Sequence, residues 1–294
     1  MRLLLALCFA VVAFPATAKA GSQQPLQVAA AENMWGSVAA QLGGNRVQVR
    51  SVIADPSTDP HSYEPTPSDA RTLAGAKIAI VNGIGYDTWA SRLLAADGGG
   101  RTIVSVGAVL GLENGDNPHQ WYSPSAVRKV TAAITAAYIH ADPAGTRYFT
   151  ARKHWFETKA LARYNALRAE IRRRFSGVPV GYSESIFEPL GASLGLRLLT
   201  PPGFAKAVAE GGEVSIRDKE KVATQLRRHE VRVWVFNSQN VTPEVDQANN
   251  LARAVHIPVA TVTETLSPAT TSFEQWQSSE LEGLIAALHR ATGR

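Results

Sequence analysis

Apolar and polar positions alternate along this chain in a way that changes period repeatedly. Leu26 to Ala31 is an apolar run that predicts a strand, and Met34 to Leu42 predicts a helix ended by Gly43-Gly44. Val47 to Ile53 alternates with period two and predicts a second strand. After a Pro-rich loop, a helix is expected to run to about Ala74, with Ser68 as its cap and Asp69 in its first turn. Lys77 to Asn82 is nearly continuous in apolar residues, as in a parallel sheet covered on both faces. A helix from Trp89 to Ala96 and a strand over Thr102–Val106 follow. This alternation predicts an α/β unit with a mostly parallel sheet.

From Ala141 to Arg174 the pattern changes. Asp142-Pro143 reads as an N-cap followed by proline at the first helical position. Phe149, Trp155, Phe156, Ala160, Leu161, Tyr164, Leu167 and Ile171 then recur at helical spacing with no proline between them. The run predicts a single helix of about 30 residues, ~45 Å long, serving as a rigid spine. Arg172-Arg173-Arg174 reads as its solvated end rather than a nucleic-acid patch.

The second half resumes the alternation. Strands are expected at 178–183, 197–199, 231–237 and 258–262. Helices are expected at 186–194, after the cap Ser215, after Thr242-Pro243, and from Phe273 to Ala291. The two halves look like one architecture used twice. The expected fold is therefore α/β with two lobes, each a mostly parallel sheet flanked by helices, joined by one long rigid helix. The expected division is 1–20 targeting segment, 21–141 first lobe, 142–175 linking helix and 176–294 second lobe.

Composition narrows the class. Hydrophobic residues make up 45% and charged residues 19%, so a folded core is expected rather than disorder. Arg2, the apolar run Leu3–Phe14 and Ala18-Lys19-Ala20 have the layout of a cleavable signal peptide. That run is too short to span a bilayer. The single cysteine, Cys8, falls inside it, so thiolate ligands and cysteine catalysis are excluded from the mature chain. Cys8 follows Leu7 and comes before the apolar run is complete, a poor lipid-attachment site. An exported, unlipidated periplasmic protein is expected.

The candidate chemistry lies on two loops. Asp59-Pro60-His61-Ser62-Tyr63-Glu64-Pro65-Thr66-Pro67 holds a histidine in a backbone stiffened by proline. Asn117-Pro118-His119-Gln120-Trp121 repeats the Pro-His pair with an aromatic close behind, before a helix start at Ser123-Pro124. Ligands in open α/β sheets collect beyond the carboxyl ends of the strands. In the second half that rule singles out Glu184, after the strand at 178–183, and Glu264, after the strand at 258–262. His61, His119, Glu184 and Glu264 together would neutralise one divalent ion. The mixed nitrogen and carboxylate set suits Mn²⁺ and also accepts Zn²⁺ or Fe²⁺. Blander readings exist: Glu184 as a helix-start acid, Glu264 as a surface-loop acid, and His61 as a merely solvated residue of a Pro-rich connection. Glu188 is an alternative ligand, disfavoured by its place before Pro189. Asn33 and Ser183 are candidate hydrogen-bond partners behind the ligands. A metal-dependent hydrolase with Glu184 or Glu264 as general base is the competing class. The chain has neither a His-Glu-x-x-His helix nor a serine nucleophile elbow. A third reading is a receptor of the same fold for a chelated metal or a small organic ligand.

The two Pro-His loops, with Glu-Asn-Met-Trp-Gly at 32–36 before Gly43-Gly44, resemble the signatures of the periplasmic zinc/manganese-binding proteins of ABC importers. The resemblance covers essentially the whole mature chain. It implies two α/β lobes on a long helix, one metal in the cleft as cargo, and delivery by a monomer to a membrane permease. It places His61 and His119 as the first two ligands, Glu184 as the third and Glu264 as the fourth. Two departures leave the metal open: the segment Leu112–Asp116 is short and lacks a histidine-rich loop, and Ser123 stands where the family often has an acid.

Overall fold

The computed structural model describes residues 24–58 and 63–294. The expected signal segment, Cys8 and His61 lie outside the described residues. The first lobe comprises β1 (Leu26–Glu32), α1 (Asn33–Gly43), β2 (Val47–Ile53), α2 (Pro67–Ala74), β3 (Ile78–Val81), α3 (Thr88–Asp97), β4 (Thr102–Ser105), α4 (Val106–Leu110) and α5 (Pro124–Ala141). Next come α6 (Thr146–Trp155), a π-helical turn at Phe156–Ala160, and α7 (Ala162–Phe175). The second lobe comprises β5 (Pro179–Tyr182), α8 (Glu188–Ser193), β6 (Arg197–Leu198), α9 (Pro202–Ala209), α10 (Ile216–Arg227), β7 (Val233–Asn237), α11 (Pro243–Ala254), β8 (Val259–Val262) and α12 (Phe273–Thr292).

The sheets run β2-β1-β3-β4 and β6-β5-β7-β8, and every strand pairing within them is parallel. The same strand order in both lobes bears out one architecture used twice. It also puts the carboxyl ends of β1 and β3 beside each other in one lobe, and those of β5 and β7 in the other. β3 is buried along its whole length, as its unbroken Ile78-Ala79-Ile80-Val81 requires. Ser123, Ser215 and Thr242 cap α5, α10 and α11, each side chain accepting a backbone N–H from three residues on.

Two local expectations need correction. The cap of α2 is Thr66, not Ser68: Thr66 Oγ1 accepts the Asp69 N–H at 3.3 Å, and Asp69 Oδ2 accepts the Thr66 N–H at 2.7 Å. This reciprocal pair is a capping box with aspartate in place of the usual glutamate. The expected single helix over 142–175 is also interrupted. Asp142-Pro143 opens a 3₁₀ turn, and a π-helical turn separates α6 from α7, with the Leu161 N–H bonded to the Phe156 carbonyl at 3.0 Å. Packing explains the break. α6 lies on α1 and α5 of the first lobe, whereas α7 lies on α12 of the second. The wider turn shifts the helical register between Phe149 and Phe156 on one side and Tyr164, Leu167 and Ile171 on the other, so that all five are buried.

The largest apolar cluster is continuous across the lobes. It joins Trp35, Ile80 and Trp121 of the first to Val180, Val262 and Trp276 of the second. Tyr122 and Trp276 pack ring against ring across the boundary, with centroids 5.5 Å apart. Each such side chain withdraws roughly 150–250 Å² from water, which opposes wide separation of the lobes. Among the described residues no helix is long and apolar enough to cross a membrane.

Candidate metal centre

His119 sits on the turn between α4 and α5. Asn82, at the end of β3, donates to the Pro118 carbonyl at 3.0 Å and accepts the Trp35 indole N–H at 2.9 Å, fixing the turn to the sheet. Asn117 Oδ1 accepts the His119 backbone N–H at 3.0 Å and lies 2.9 Å from its Nδ1. An oxygen that already accepts draws the ring hydrogen to Nδ1 and leaves the lone pair on Nε2. Trp121 closes one face of the imidazole edge-on, at 5.3 Å between centroids. Asn117 also reaches the other lobe, donating to the Ser185 carbonyl at 2.7 Å and to Glu188 Oε2 at 3.2 Å.

The second lobe supplies the acids from the carboxyl edge of its sheet. Glu184 follows β5 and Glu264 follows β8. His119 Nε2 lies 3.7 Å from Glu184 Oε1 and 3.6 Å from Glu264 Oε1. The ligand atoms of all three lie within 4.8 Å of one another, and all three residues are buried. Among the described residues this is the one group of three histidines and acids with such convergence.

Between the acids stands Asn237, the last residue of β7. Its Nδ2 donates to Glu184 Oε2 at 3.1 Å and to Glu264 Oε1 at 2.9 Å. Ser183 Oγ accepts the Asn237 backbone N–H at 3.1 Å, and Asn237 Oδ1 accepts the Gln239 N–H at 3.0 Å. From the first lobe, the Tyr86 hydroxyl donates to Glu264 Oε2 at 2.9 Å. Glu184 Oε1 has no hydrogen-bond donor among the described residues. Burial, and then the neighbouring Glu264 charge, push the Glu184 carboxyl well above the usual carboxylate range. A buried oxygen without a donor, two mutually repelling acids and an imidazole lone pair all call for a cation among them.

His61 lies outside the described residues, but both shoulders of its loop are described. Gln239 Nε2 donates to the Pro56 carbonyl at 2.8 Å, while Gln239 Oε1 accepts the Thr265 N–H at 3.0 Å. Asn33 donates to the Ala54 carbonyl at 3.2 Å and accepts the Leu266 N–H at 3.1 Å. The start of the His61 loop is thus tied to the Glu264 turn. On the far shoulder, the Tyr63 hydroxyl donates to Asp69 at 2.7 Å.

The structure therefore brings together three of the four residues singled out from the sequence. Glu188 stands apart, accepting from Tyr182 and Asn117. Asn33 and Ser183 act behind the site, though neither hydrogen-bonds a ligand side chain. Sequence reasoning missed Asn237, Tyr86 and Gln239. Asn237 carried a signal, since it ends a central strand on the same sheet edge that pointed to the glutamates. A cavity of about 470 Å³, lined by Tyr86, Asn117, His119, Ser185, Glu188 and Lys206 among others, lies beside His119 with walls from both lobes.

Comparison with known proteins agrees with this picture. The sequence profile described as zinc-uptake complex component A, periplasmic, matches residues 28–287. The chain is 29% identical over 131 residues to the manganese-binding lipoprotein MntA of Halalkalibacterium halodurans, covering 43% of each. It is 24% identical over 204 residues to the high-affinity zinc uptake system protein ZnuA of Bacillus subtilis, covering 61% of each. Both alignments span less than two thirds of the relative's own length. In three dimensions, the periplasmic zinc-binding protein TroA of Treponema pallidum superposes with a TM-score of 0.74 at 19% identity, over 90% of this chain and 99% of that one. A manganese-bound periplasmic metal-binding protein of Candidatus Liberibacter asiaticus gives 0.75 at 17%, over 89% and 98%. At those identities the likeness is one of fold. On the extent of the profile match, this chain belongs to the family of periplasmic zinc-uptake component A proteins.

Proposed function

We propose that the chain captures one divalent transition-metal ion, Zn²⁺ or Mn²⁺ with Fe²⁺ as a further candidate, between its lobes, and surrenders it to the permease of an ABC importer. The observation that carries this reading is the buried convergence of His119 from one lobe with Glu184 and Glu264 from the other. Membership of a family named for zinc uptake supports it. The ion is cargo. His119, Glu184 and Glu264 supply one nitrogen and two anionic oxygens, and His61 supplies a fourth donor from its Pro-rich loop. Two carboxylates and neutral imidazoles balance the charge of a divalent ion, and the acids leave room for the higher coordination that Mn²⁺ prefers.

The chain works as a receptor rather than a hydrolase. Both acids aim an oxygen at the same imidazole nitrogen, the arrangement of two ligands rather than of one ligand and one base. The protein is exported by residues 1–20, acts in the periplasm as a monomer, and has no nucleic-acid partner. Lobe motion on release is small, because the apolar cluster runs through the boundary.

Calorimetric titration of chelator-stripped protein with Zn²⁺ and Mn²⁺ tests the proposal. One-to-one binding of at least one ion, lost when Glu184 and Glu264 are both replaced by Ala, is the expected result. Absence of stoichiometric binding of either ion would falsify it.

A further inference from the structure

The hydrogen bonds of the Asn117 side chain divide by lobe. Its oxygen serves the first lobe, accepting the His119 backbone N–H at 3.0 Å and lying 2.9 Å from His119 Nδ1. Its nitrogen serves the second, donating to the Ser185 carbonyl at 2.7 Å and to Glu188 Oε2 at 3.2 Å. Ser185 directly follows Glu184, and Glu188 opens α8. The Gln120 side chain donates to the Asn117 carbonyl at 2.7 Å and steadies the main chain from which the amide projects.

Two of these partners are main-chain groups, and they fix which way the amide points. A backbone N–H only donates and a backbone carbonyl only accepts. Turned end for end, the amide would set its NH₂ against the His119 N–H and its oxygen against the Ser185 carbonyl. The oxygen therefore faces His119, and its contact with Nδ1 needs the ring hydrogen to be there. The nitrogen carries two hydrogens. One meets Ser185, and the other is left for Glu188. A carboxylate suits that place, because both its oxygens accept. Glu188 is itself held by the Tyr182 hydroxyl, which donates to its Oε1 at 3.1 Å.

We propose that Glu188 is a positioning residue for the metal centre. By taking the remaining hydrogen of the Asn117 amide it locks that amide across the lobe boundary. The locked amide keeps the ring hydrogen of His119 on Nδ1 and Nε2 aimed at Glu184 and Glu264. The inference rests on the metal-capture reading above and says how the donors from the two lobes are kept in register.

The placement of the link gives it this effect. One amide joins the His119 turn to the residue after Glu184, so it sets the approach of an imidazole in one lobe to an acid in the other, 3.7 Å apart at Nε2 and Oε1. Asn117, Ser185 and Glu188 all line the cavity of about 470 Å³ beside His119, so there is room for water to replace either acceptor when the lobes part. Parting removes both acceptors from the nitrogen at once. Only the contacts with His119 then restrain the amide, and the imidazole loses its orientation as the lobes disengage.

Measurements on the full mature chain test this. In metal-free protein carrying nitrogen-labelled histidine, magnetic resonance of the wild type should show a slowly exchanging Nδ1–H, identified by its loss in His119→Ala. Glu188→Gln still offers an oxygen to Asn117, while the Tyr182 hydroxyl can turn to the Thr200 carbonyl 3.5 Å away, so the signal should persist. Glu188→Met, similar in length but without an acceptor, should exchange it much faster. Zn²⁺ affinity, from competition with a chelator, should fall about 10–100-fold in Asn117→Ala. It should fall severalfold in Glu188→Met and stay near wild type in Glu188→Gln. Added to Asn117→Ala, Glu188→Met should change nothing further, because its effect passes through that amide. Additive losses overturn the proposal. So does a wild-type spectrum with no protected Nδ1–H, which decides the matter even if Glu188→Met does not fold. The resonance arm needs no cargo, so failure of the capture reading would show separately, as absence of Zn²⁺ binding with the imidazole signal intact.

Discussion

The side-chain amide of Asn237 donates to Glu264 Oε1 at 2.9 Å, and the same nitrogen reaches Glu184 Oε2 at 3.1 Å. One neutral group at the end of β7 thereby sets the spacing of two acids that arrive from different strands. Uncompensated, two buried carboxylates would turn apart or share a proton. Asn237→Ala should leave the fold intact and weaken metal binding by about 10–100-fold, the usual cost of losing a partner behind a ligand. Asn237→Asp should be worse than Ala at neutral pH, because it adds a third acid to the cluster. Competition titration with a chromogenic chelator measures both. Wild-type affinity in Asn237→Ala would remove the residue from the site.

Acidity and cargo should be coupled through Glu184. Its folded pKa is raised, by burial first and by Glu264 second. The metal-free folded chain therefore binds a proton that the unfolded chain has lost, so this group's contribution to stability is fully present below the usual carboxylate range and is lost as pH rises through the raised value. A bound cation reverses the preference by stabilising both anions. Metal binding should release protons, and affinity should climb as pH rises above the usual carboxylate range. In calorimetric scans, the gap in Tm between loaded and metal-free protein should widen in the same direction. A gap independent of pH would mean that the acids do not bind metal as anions.

Much of this molecule is legible because its elements obey local rules. The apolar run Ile78–Val81 reads as a covered parallel strand, and Ser123, Ser215 and Thr242 announce the helices they cap. The glutamates were found because each follows a strand on the edge where such sheets bind ligands. Asn237 ends a strand on that same edge, yet an asparagine has no ligand chemistry of its own and acquires its role only from the two acids beside it. The π-helical turn at Phe156–Ala160 has no local mark, since neither proline nor glycine occurs between Thr146 and Phe175. It arises from packing one helical run on two lobes, a tertiary demand that helix propensity does not encode. Thr66 was legible but misread: the reciprocal partner Asp69, three residues on, identifies Thr66 rather than Ser68 as the cap.

Gly43 closes α1 where the chain turns into β2, and the space for a side chain there is absent. A Cβ at this position would lie 1.8, 2.7 and 2.8 Å from Val47 Cγ2, Cγ1 and Cβ. Because all three atoms of the branch are involved, rotating Val47 about χ1 does not relieve the clash. Gly43→Ala, ordinarily favourable in a helix, should instead destabilise by roughly 1–3 kcal/mol, as overpacking does. Val47→Ala in the same chain should recover part of that loss. Urea unfolding of the two single variants and the double variant gives the comparison, and additive effects would contradict the proposed clash.

The two histidines should differ in what their removal does. His119 is buried, its Nδ1 beside Asn117 and its ring against Trp121, so His119→Ala removes a proposed ligand and leaves a void between the lobes. It should lower metal affinity by at least about 100-fold, roughly 2.8 kcal/mol, and also lower the stability of the metal-free protein. His61 falls in the Pro-rich sequence Asp59–Pro67, and Pro56 before it is held by Gln239. Replacement of His61 by Ala should cost a similar factor in affinity with little change in metal-free Tm. The ratio of the two effects separates a ligand that is also core from one that is only a ligand. Titration and thermal unfolding of both variants supply it. An unchanged affinity in His61→Ala would reduce the protein's metal set to His119, Glu184 and Glu264. The same triad, with water as its fourth ligand, would then have to account for binding.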